Sequence, residues 1–172
     1  MGSLSKLDLS GNNKLRFKSP DFIRPIASAL KTNTSITELN LSGNNLNAEA
    51  AGIFSKDMKD MGSLSKLTFR GGGDPVTIDT TMTEADFSGK KLGLIGAQIL
   101  AAFMTTKLFE ANGSLASLDI SDNNIGDEQE AEIKQICAGR SIKLNAQQQE
   151  AEVPLPAGWR RAVDAASGRV VY

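Results

Sequence analysis

The chain has 172 residues, 40% apolar and 23% charged, which suits one ordinary domain, or a domain with a small appendage, with enough chain for a real core. Lys and Arg number 19 against 20 Asp and Glu, a balance that argues against a nucleic-acid footprint and against a polybasic membrane anchor. There is no histidine and a single cysteine, Cys137, which excludes Ser-His-Asp and Cys-His mechanisms, His-ligated metals and an intrachain disulfide. No apolar run approaches the roughly 18 residues of a spanning helix, and residues 1–8 carry no apolar signal region. The composition predicts a cytoplasmic protein with no catalytic residues, cofactor or metal.

Taken in chain order, the predicted elements repeat. Leu4-x-x-Leu7-x-Leu9 opens the chain, and Leu7 and Leu9 at alternating positions place two side chains on one face of a short strand. Asp21 to Lys31 is the first helix, with Phe22, Ile26 and Leu30 at spacing four and Pro20 and Asp21 suited to its start. Ile36-x-x-Leu39-x-Leu41 is the next strand, and Ala48 to Met61, with Ala51, Phe54 and Met58, the next helix. Leu64-x-x-Leu67-x-Phe69 is a third strand, introduced by Met-Gly-Ser-Leu-Ser-Lys-Leu at 61–67, a heptapeptide identical to residues 1–7.

No amphipathic helix fits the segment after Phe69. Gly71 to Thr81 reads as an irregular or extended connection, and its glycine run as a turn, since no Lys-Ser/Thr succeeds it to make a phosphate loop. Met82-x-x-Ala85-x-Phe87, a long apolar helix from Leu94 to Phe109, Leu115-x-x-Leu118-x-Ile120, and a helix from Asp127 to Cys137 complete the regular part, with Ile142-x-Leu144 as a last partial copy. Cys137 falls on the apolar helix face, so it is expected to be a buried, unreactive thiol. Asp127, Glu128, Glu130 and Glu132 read as a solvated face that favours a helix start. Asn33 and Asn112, each in a glycosylation sequon, read as helix-to-strand loops.

The residues after each apolar triplet also repeat: Ser42-Gly43-Asn44-Asn45-Leu46, Ser121-Asp122-Asn123-Asn124-Ile125, Ser10-Gly11-Asn12-Asn13, and Ser88-Gly89-Lys90-Lys91-Leu92 with Lys90 in place of Asn. The copies start at 4, 36, 64, 82 and 115, in steps of 32, 28, 18 and 33 residues. The pattern L-x-x-L-x-L-x-x-N-x-L resembles the leucine-rich repeat family, and the longer steps resemble its ribonuclease-inhibitor-like subclass. The resemblance spans about residues 1–146. It implies an α/β solenoid, a partial horseshoe with one curved parallel sheet on the concave side and helices on the convex side. An Asn side chain in the turn can bond backbone groups that no sheet ladder reaches, and stacked copies are expected to form a ladder of such bonds.

From Asn145 the composition changes. Residues 147–152 read as a polar linker. Leu155-Pro156-x-Gly158-Trp159 succeeded by Gly168-Arg169-x-x-Tyr172 resembles the first half of a WW domain over residues 153–172. The resemblance implies that Pro156, Trp159 and Tyr172 are structural. The third strand, second Trp and closing Pro of that family are absent, and Val171 stands where a groove tyrosine belongs. No proline-binding groove is therefore expected unless a longer chain completes the domain, and disorder is expected from about Gln147. The chain reads as a fragment of a longer protein.

The strand positions pointing away from the core are the candidate binding surface: Asp8, Glu38, Asn40, Lys66, Thr68, Arg70, Glu84, Asp86 and Asp119. By pattern Lys143 continues the column of Asp86 and Asp119, and Asn145 that of Ser88 and Ser121. The expected function is a non-catalytic protein-interaction or scaffold module that binds a protein partner through this face. The alternative is a structural repeat spacer in a larger protein, with catalysis elsewhere or a complete WW domain taking a proline-rich peptide. Neither nucleic acid nor membrane is an expected partner.

Overall fold

The computed structural model describes residues 4–12 and 19–147, and the backbone of two short strands at 162–163 and 170–171. The first repeats give β1 (Lys6–Asp8), α1 (Pro20–Thr32), β2 (Glu38–Asn40), α2 (Ala48–Met58) and β3 (Lys66–Phe69). Then come β4 (Val76–Asp79), β5 (Glu84–Asp86), α3 (Gly93–Met104), α4 (Lys107–Asn112), β6 (Ser117–Asp119), α5 (Asp127–Gly139) and β7 (Lys143–Asn145). In the tail, β8 (Ala162–Val163) pairs antiparallel with β9 (Val170–Val171). Among the described residues no helix is long and apolar enough to cross a membrane.

The helices form where the periodicity places them, with instructive differences. α1 starts on Pro20, whose missing N–H is one that a helix start leaves unpaired anyway. α2 is capped by Asn47, whose side chain accepts from the Ala50 N–H. The single helix expected from Leu94 to Phe109 is two helices. α3 ends at Thr105, and the Thr106 side chain accepts from the Phe109 N–H to start α4. Thr106 is fully buried, so this cap is part of the core rather than a surface ornament.

The single curved parallel sheet expected from the repeats is divided. β1, β2, β3 and β4 form one sheet and β5, β6 and β7 another. β1–β2–β3 and β5–β6–β7 are parallel, as repeat stacking requires. β4 returns antiparallel beside β3, pairing Leu67 with Ile78 and Phe69 with Val76. The extended connection expected from Gly71 to Thr81 is thus a hairpin strand. Its cause is sequence: the third repeat has no helix to carry the chain back, and Val76-x-Ile78 alternates like a strand whose apolar face joins the core.

One core nevertheless runs through both sheets. Leu39, Leu41, Leu64, Leu67, Phe69, Ile78, Phe87, Leu118 and Ile120 from the strands meet Ile23, Phe54, Met58, Ile99, Phe103 and Ile133 from the helices. Each such fully buried side chain is worth about 1.5–3 kcal/mol relative to exposure. With the third repeat's helix missing, α2 packs directly on α3, and the Ser55 hydroxyl donates to the Gln98 carbonyl at 3.4 Å. The loops also close the seam. The Gly72 N–H donates to the Lys91 carbonyl at 2.7 Å, and the Arg70 Nε donates to the Gly73 carbonyl.

Candidate functional site

The turns at the ends of the strands fix the open face. Asn44 and Asn123 are buried, at 3% and 0% exposure. The Asn44 Nδ2 donates to the carbonyls of Leu9 (2.8 Å) and Leu41 (2.9 Å), and its Oδ1 accepts from the Asn12 N–H (2.9 Å). The Asn123 Nδ2 donates to the carbonyls of Phe87 (2.7 Å), Ile120 (2.9 Å) and Ser121 (3.0 Å), and its Oδ1 accepts from the Leu92 N–H at 3.1 Å. The expected ladder thus exists, each Asn tying its own turn to the turn of the repeat before. The backbone enters the left-handed region at Gly43 (φ 70°) and again at Asn45 (φ 47°), residue types that tolerate it.

The strand residues aimed away from the helices form two rows in each sheet. In the first sheet, Lys6, Glu38, Lys66 and Asp79 lie side by side by register. Lys6 and Glu38 form an ion pair at 2.9 Å, and the Lys66 charge helps to hold the Asp79 carboxyl below its usual range, behind the larger effect of the Thr81 hydroxyl. The row alternates in sign and neutralises itself. The next row is Asp8, Asn40, Thr68 and Thr77, with the Thr68 and Thr77 hydroxyls 2.9 Å apart.

The second sheet differs. Its rows are Glu84, Ser117 and Lys143, then Asp86, Asp119 and Asn145. This corrects the expected columns: Leu144, not Ile142, aligns with Leu118, so Lys143 belongs beside Ser117 and Asn145 beside Asp119. Asp86 and Asp119 stand opposite one another on adjacent strands, a like-charge arrangement that costs stability. The Asp119 charge raises the Asp86 carboxyl, but the Ser88 hydroxyl and N–H outweigh it and Lys90 assists, so the net displacement is downward. Burial pushes Asp119 up, and the Ser121 hydroxyl and N–H with the Asn145 side chain more than offset it. Both aspartates are therefore firmly ionised at neutral pH.

A recurring bond holds these carboxylates in place, and the repeat pattern alone did not reveal it. The Oδ1 of Asp8, Asn40, Asp86 and Asp119 accepts from the N–H of the serine two residues on, at 2.8, 3.0, 2.9 and 2.9 Å. The Ser88 and Ser121 hydroxyls add bonds at 2.6 Å. The signal was present as Asp/Asn-x-Ser, starting on the last residue of β1, β2, β5 and β6. Arg70 departs from this pattern; it sits where β1, β2, β5 and β6 are followed by Ser10, Ser42, Ser88 and Ser121, and it folds back onto the glycine turn. The open face carries two shallow depressions, one of about 280 Å³ over Lys6, Glu38, Asn40, Lys66 and Thr68, the other of about 340 Å³ over Glu84, Asp86, Asp119 and Lys143. Pro156, Trp159 and Tyr172 lie outside the described residues.

Cys137 is buried, and burial pushes its thiol up to about 11, with Arg140 opposing weakly. Both effects of burial, the raised thiol and the loss of access, disfavour a reactive thiolate at neutral pH.

Two segments match the Leucine Rich repeat family model, residues 32–52 and 111–128. Each runs from the end of one helix through a strand and its asparagine turn into the next helix, and they contain Asn44 and Asn123. No curated protein matches the chain. The chain thus carries leucine-rich repeats, a module that generally mediates protein–protein interaction and is typically non-catalytic.

Proposed function

We propose that the array is a partial horseshoe whose concave face, the open face of the two sheets, binds a protein partner, and that its second half makes the principal contact. The observation that carries this is the difference in charge pairing between the halves. Lys6, Glu38, Lys66 and Asp79 compensate one another. Glu84, Asp86 and Asp119 outnumber the one cation in their rows, Lys143, and the Asp86–Asp119 juxtaposition is a cost that a cationic partner relieves. Carboxylates pre-positioned by the serine bonds lose little freedom on binding.

The test is direct. A partner captured on the intact chain is purified and its affinity measured for the unaltered chain, for Asp86→Lys/Asp119→Lys, and for Lys6→Glu/Lys66→Glu. The expected result is a loss of about tenfold or more for the aspartate pair, growing weaker as salt is raised, and little change for the lysine pair. Unchanged affinity in the aspartate double variant overturns the assignment.

We read residues 1–146 as the repeat array, 147–152 as a linker and 153–172 as a WW-like segment. The antiparallel ladder of β8 and β9 favours this reading of the tail, since two antiparallel strands are what the first half of that domain supplies. A spacer role, with a proline-rich ligand taken by a completed WW domain in a longer chain, is the second reading.

A further inference from the structure

The division of the sheet leaves an unpaired interval in the middle of the open face, between β4 and β5, and its two edges can be read bond by bond. The Leu41 N–H donates to the Thr68 carbonyl at 2.8 Å, and the Thr80 N–H to the Ser65 carbonyl at 2.9 Å. Thr68 thus faces β2, while β3 bonds β4 through the alternate residues Ser65, Leu67 and Phe69. Thr77, opposite Thr68, therefore turns its N–H and carbonyl away from β3, toward β5. On the facing strand the Phe87 N–H donates to the Asp119 carbonyl at 2.8 Å, and the Thr83 carbonyl accepts from the N–H groups of Ala116 and Ser117. By the same alternation Glu84 and Asp86 turn theirs toward β4. Among the described residues no backbone hydrogen bond joins β4 to β5.

The slot is held at both ends. At one, the Asp79 Oδ1 accepts from the Thr81 N–H (2.8 Å), the Thr81 hydroxyl (2.6 Å) and the Met82 N–H (3.1 Å), which fixes the turn between the strands. At the other, the Gly72 N–H donates to the Lys91 carbonyl. Ile78 and Ala85, one residue from each strand, are buried in the common core, so the slot opens on the face of the sheets. Strand edges offer donors and acceptors in alternation, which an extended backbone matches. The flanking side chains select which backbone. Asp79 stands on one bank and Glu84 and Asp86 on the other, and Lys66 in register with Asp79 leaves the greater acidic excess along β5. Carboxylates along an edge disfavour uncharged and acidic strands and favour a basic one. We propose that the slot docks a short extended segment of the partner, its backbone bonded to the β5 edge and its lysine or arginine side chains beside Glu84 and Asp86. Such docking rests on the second half being the binding face, and gives the form of what binds there. The closed ends limit the contact to the span of β5 itself, Glu84–Asp86.

The probe is the peptide acetyl-Lys-Ala-Lys-Ala-Lys-amide, added to the intact chain, and the readout is amide hydrogen exchange of Glu84 and Asp86. In the free chain both are expected to exchange fast, since neither N–H is bonded. With the peptide at about ten times its dissociation constant, both are expected to slow about tenfold. The same peptide methylated on every backbone nitrogen, which cannot donate, is expected to leave them fast, as is its counterpart with glutamate in place of lysine. Exchange unchanged by the lysine peptide overturns the slot, while the binding face itself stands or falls on Asp86→Lys/Asp119→Lys with the captured partner. Equal protection by the methylated peptide overturns strand pairing and leaves only attraction to the carboxylates. Protection by the glutamate peptide overturns the basic occupant. Slow exchange of both amides in the free chain, growing with protein concentration, shows a second copy in the slot and overturns the proposal.

Discussion

Asn123 offers the sharpest perturbation. It is fully buried, and its side chain satisfies three carbonyls and one N–H across two successive repeats. Truncation to alanine removes all of these bonds and orphans the Leu92 N–H and the Ile120 carbonyl, while the Ser121 carbonyl keeps the Gly89 N–H at 2.9 Å and the Phe87 carbonyl the Lys90 N–H at 3.3 Å. An unsatisfied buried group costs about 1–3 kcal/mol, so two orphaned groups predict a loss of about 2–6 kcal/mol. That is a large share of the roughly 5–15 kcal/mol that holds a typical domain together.

Asn123→Asp adds a signed test. The shape is kept, but the atom that faced three carbonyl oxygens becomes an oxygen, so the native state holds the carboxyl protonated and its pKa lies above the unfolded value near 4. The native state then binds the extra proton, and the variant loses stability as pH rises through the unfolded value toward the raised native one. Its deficit is smaller at pH 3 than at pH 7. Urea unfolding monitored by circular dichroism, extrapolated linearly to water, reads both effects. An alanine variant within about 1 kcal/mol of the unaltered chain, or an aspartate variant whose deficit ignores pH, refutes the reasoning.

Two further predictions concern the seam and the thiol. A Cβ on Gly71 would collide with the Leu92 carbonyl and one on Gly73 with the Lys90 carbonyl, whereas Gly62 and Gly139 have nothing within 4 Å. Gly71→Ala and Gly73→Ala are therefore expected to lower the unfolding midpoint clearly, by about 2 kcal/mol or more, while Gly62→Ala stays within about 1 kcal/mol; equal effects at both places contradict the close loop contact. Cys137, buried with its thiol near 11, is expected to resist a water-soluble maleimide at pH 7 in the folded chain and to react at once in denaturant, as mass spectrometry reports.

The repeats were legible because each obeys one local rule. Alternating apolar residues mark the strand, and a single Asn three residues past the last of them marks the turn, so the sequence alone placed Asn44 and Asn123. Spacing also found α1, α2 and α5 to within a few residues. Three features escaped it. Val76 and Ile78 announced an extended segment, but nothing local says that β4 pairs back on β3 rather than running on as part of a parallel stack. Thr105 and Thr106 sit inside an apolar run, and only the Thr106 cap shows that α3 ends there. The last strand slipped by two residues because Ile142 and Leu144 satisfy the same alternation in either register, and the backbone pairing alone decides. Of the candidate surface, the residues were readable from the outward positions. Their division into a self-paired half and an acidic half was not, because it depends on β4 bringing Asp79 beside Lys66.

The most direct test of the binding-face assignment is nuclear magnetic resonance mapping of the intact, isotope-labelled chain against its purified captured partner. The account predicts that the largest shift changes fall at residues 84–88, 117–121 and 143–145, with weaker changes along β1 to β3. Changes concentrated on the helices, or on residues 162–171, contradict it.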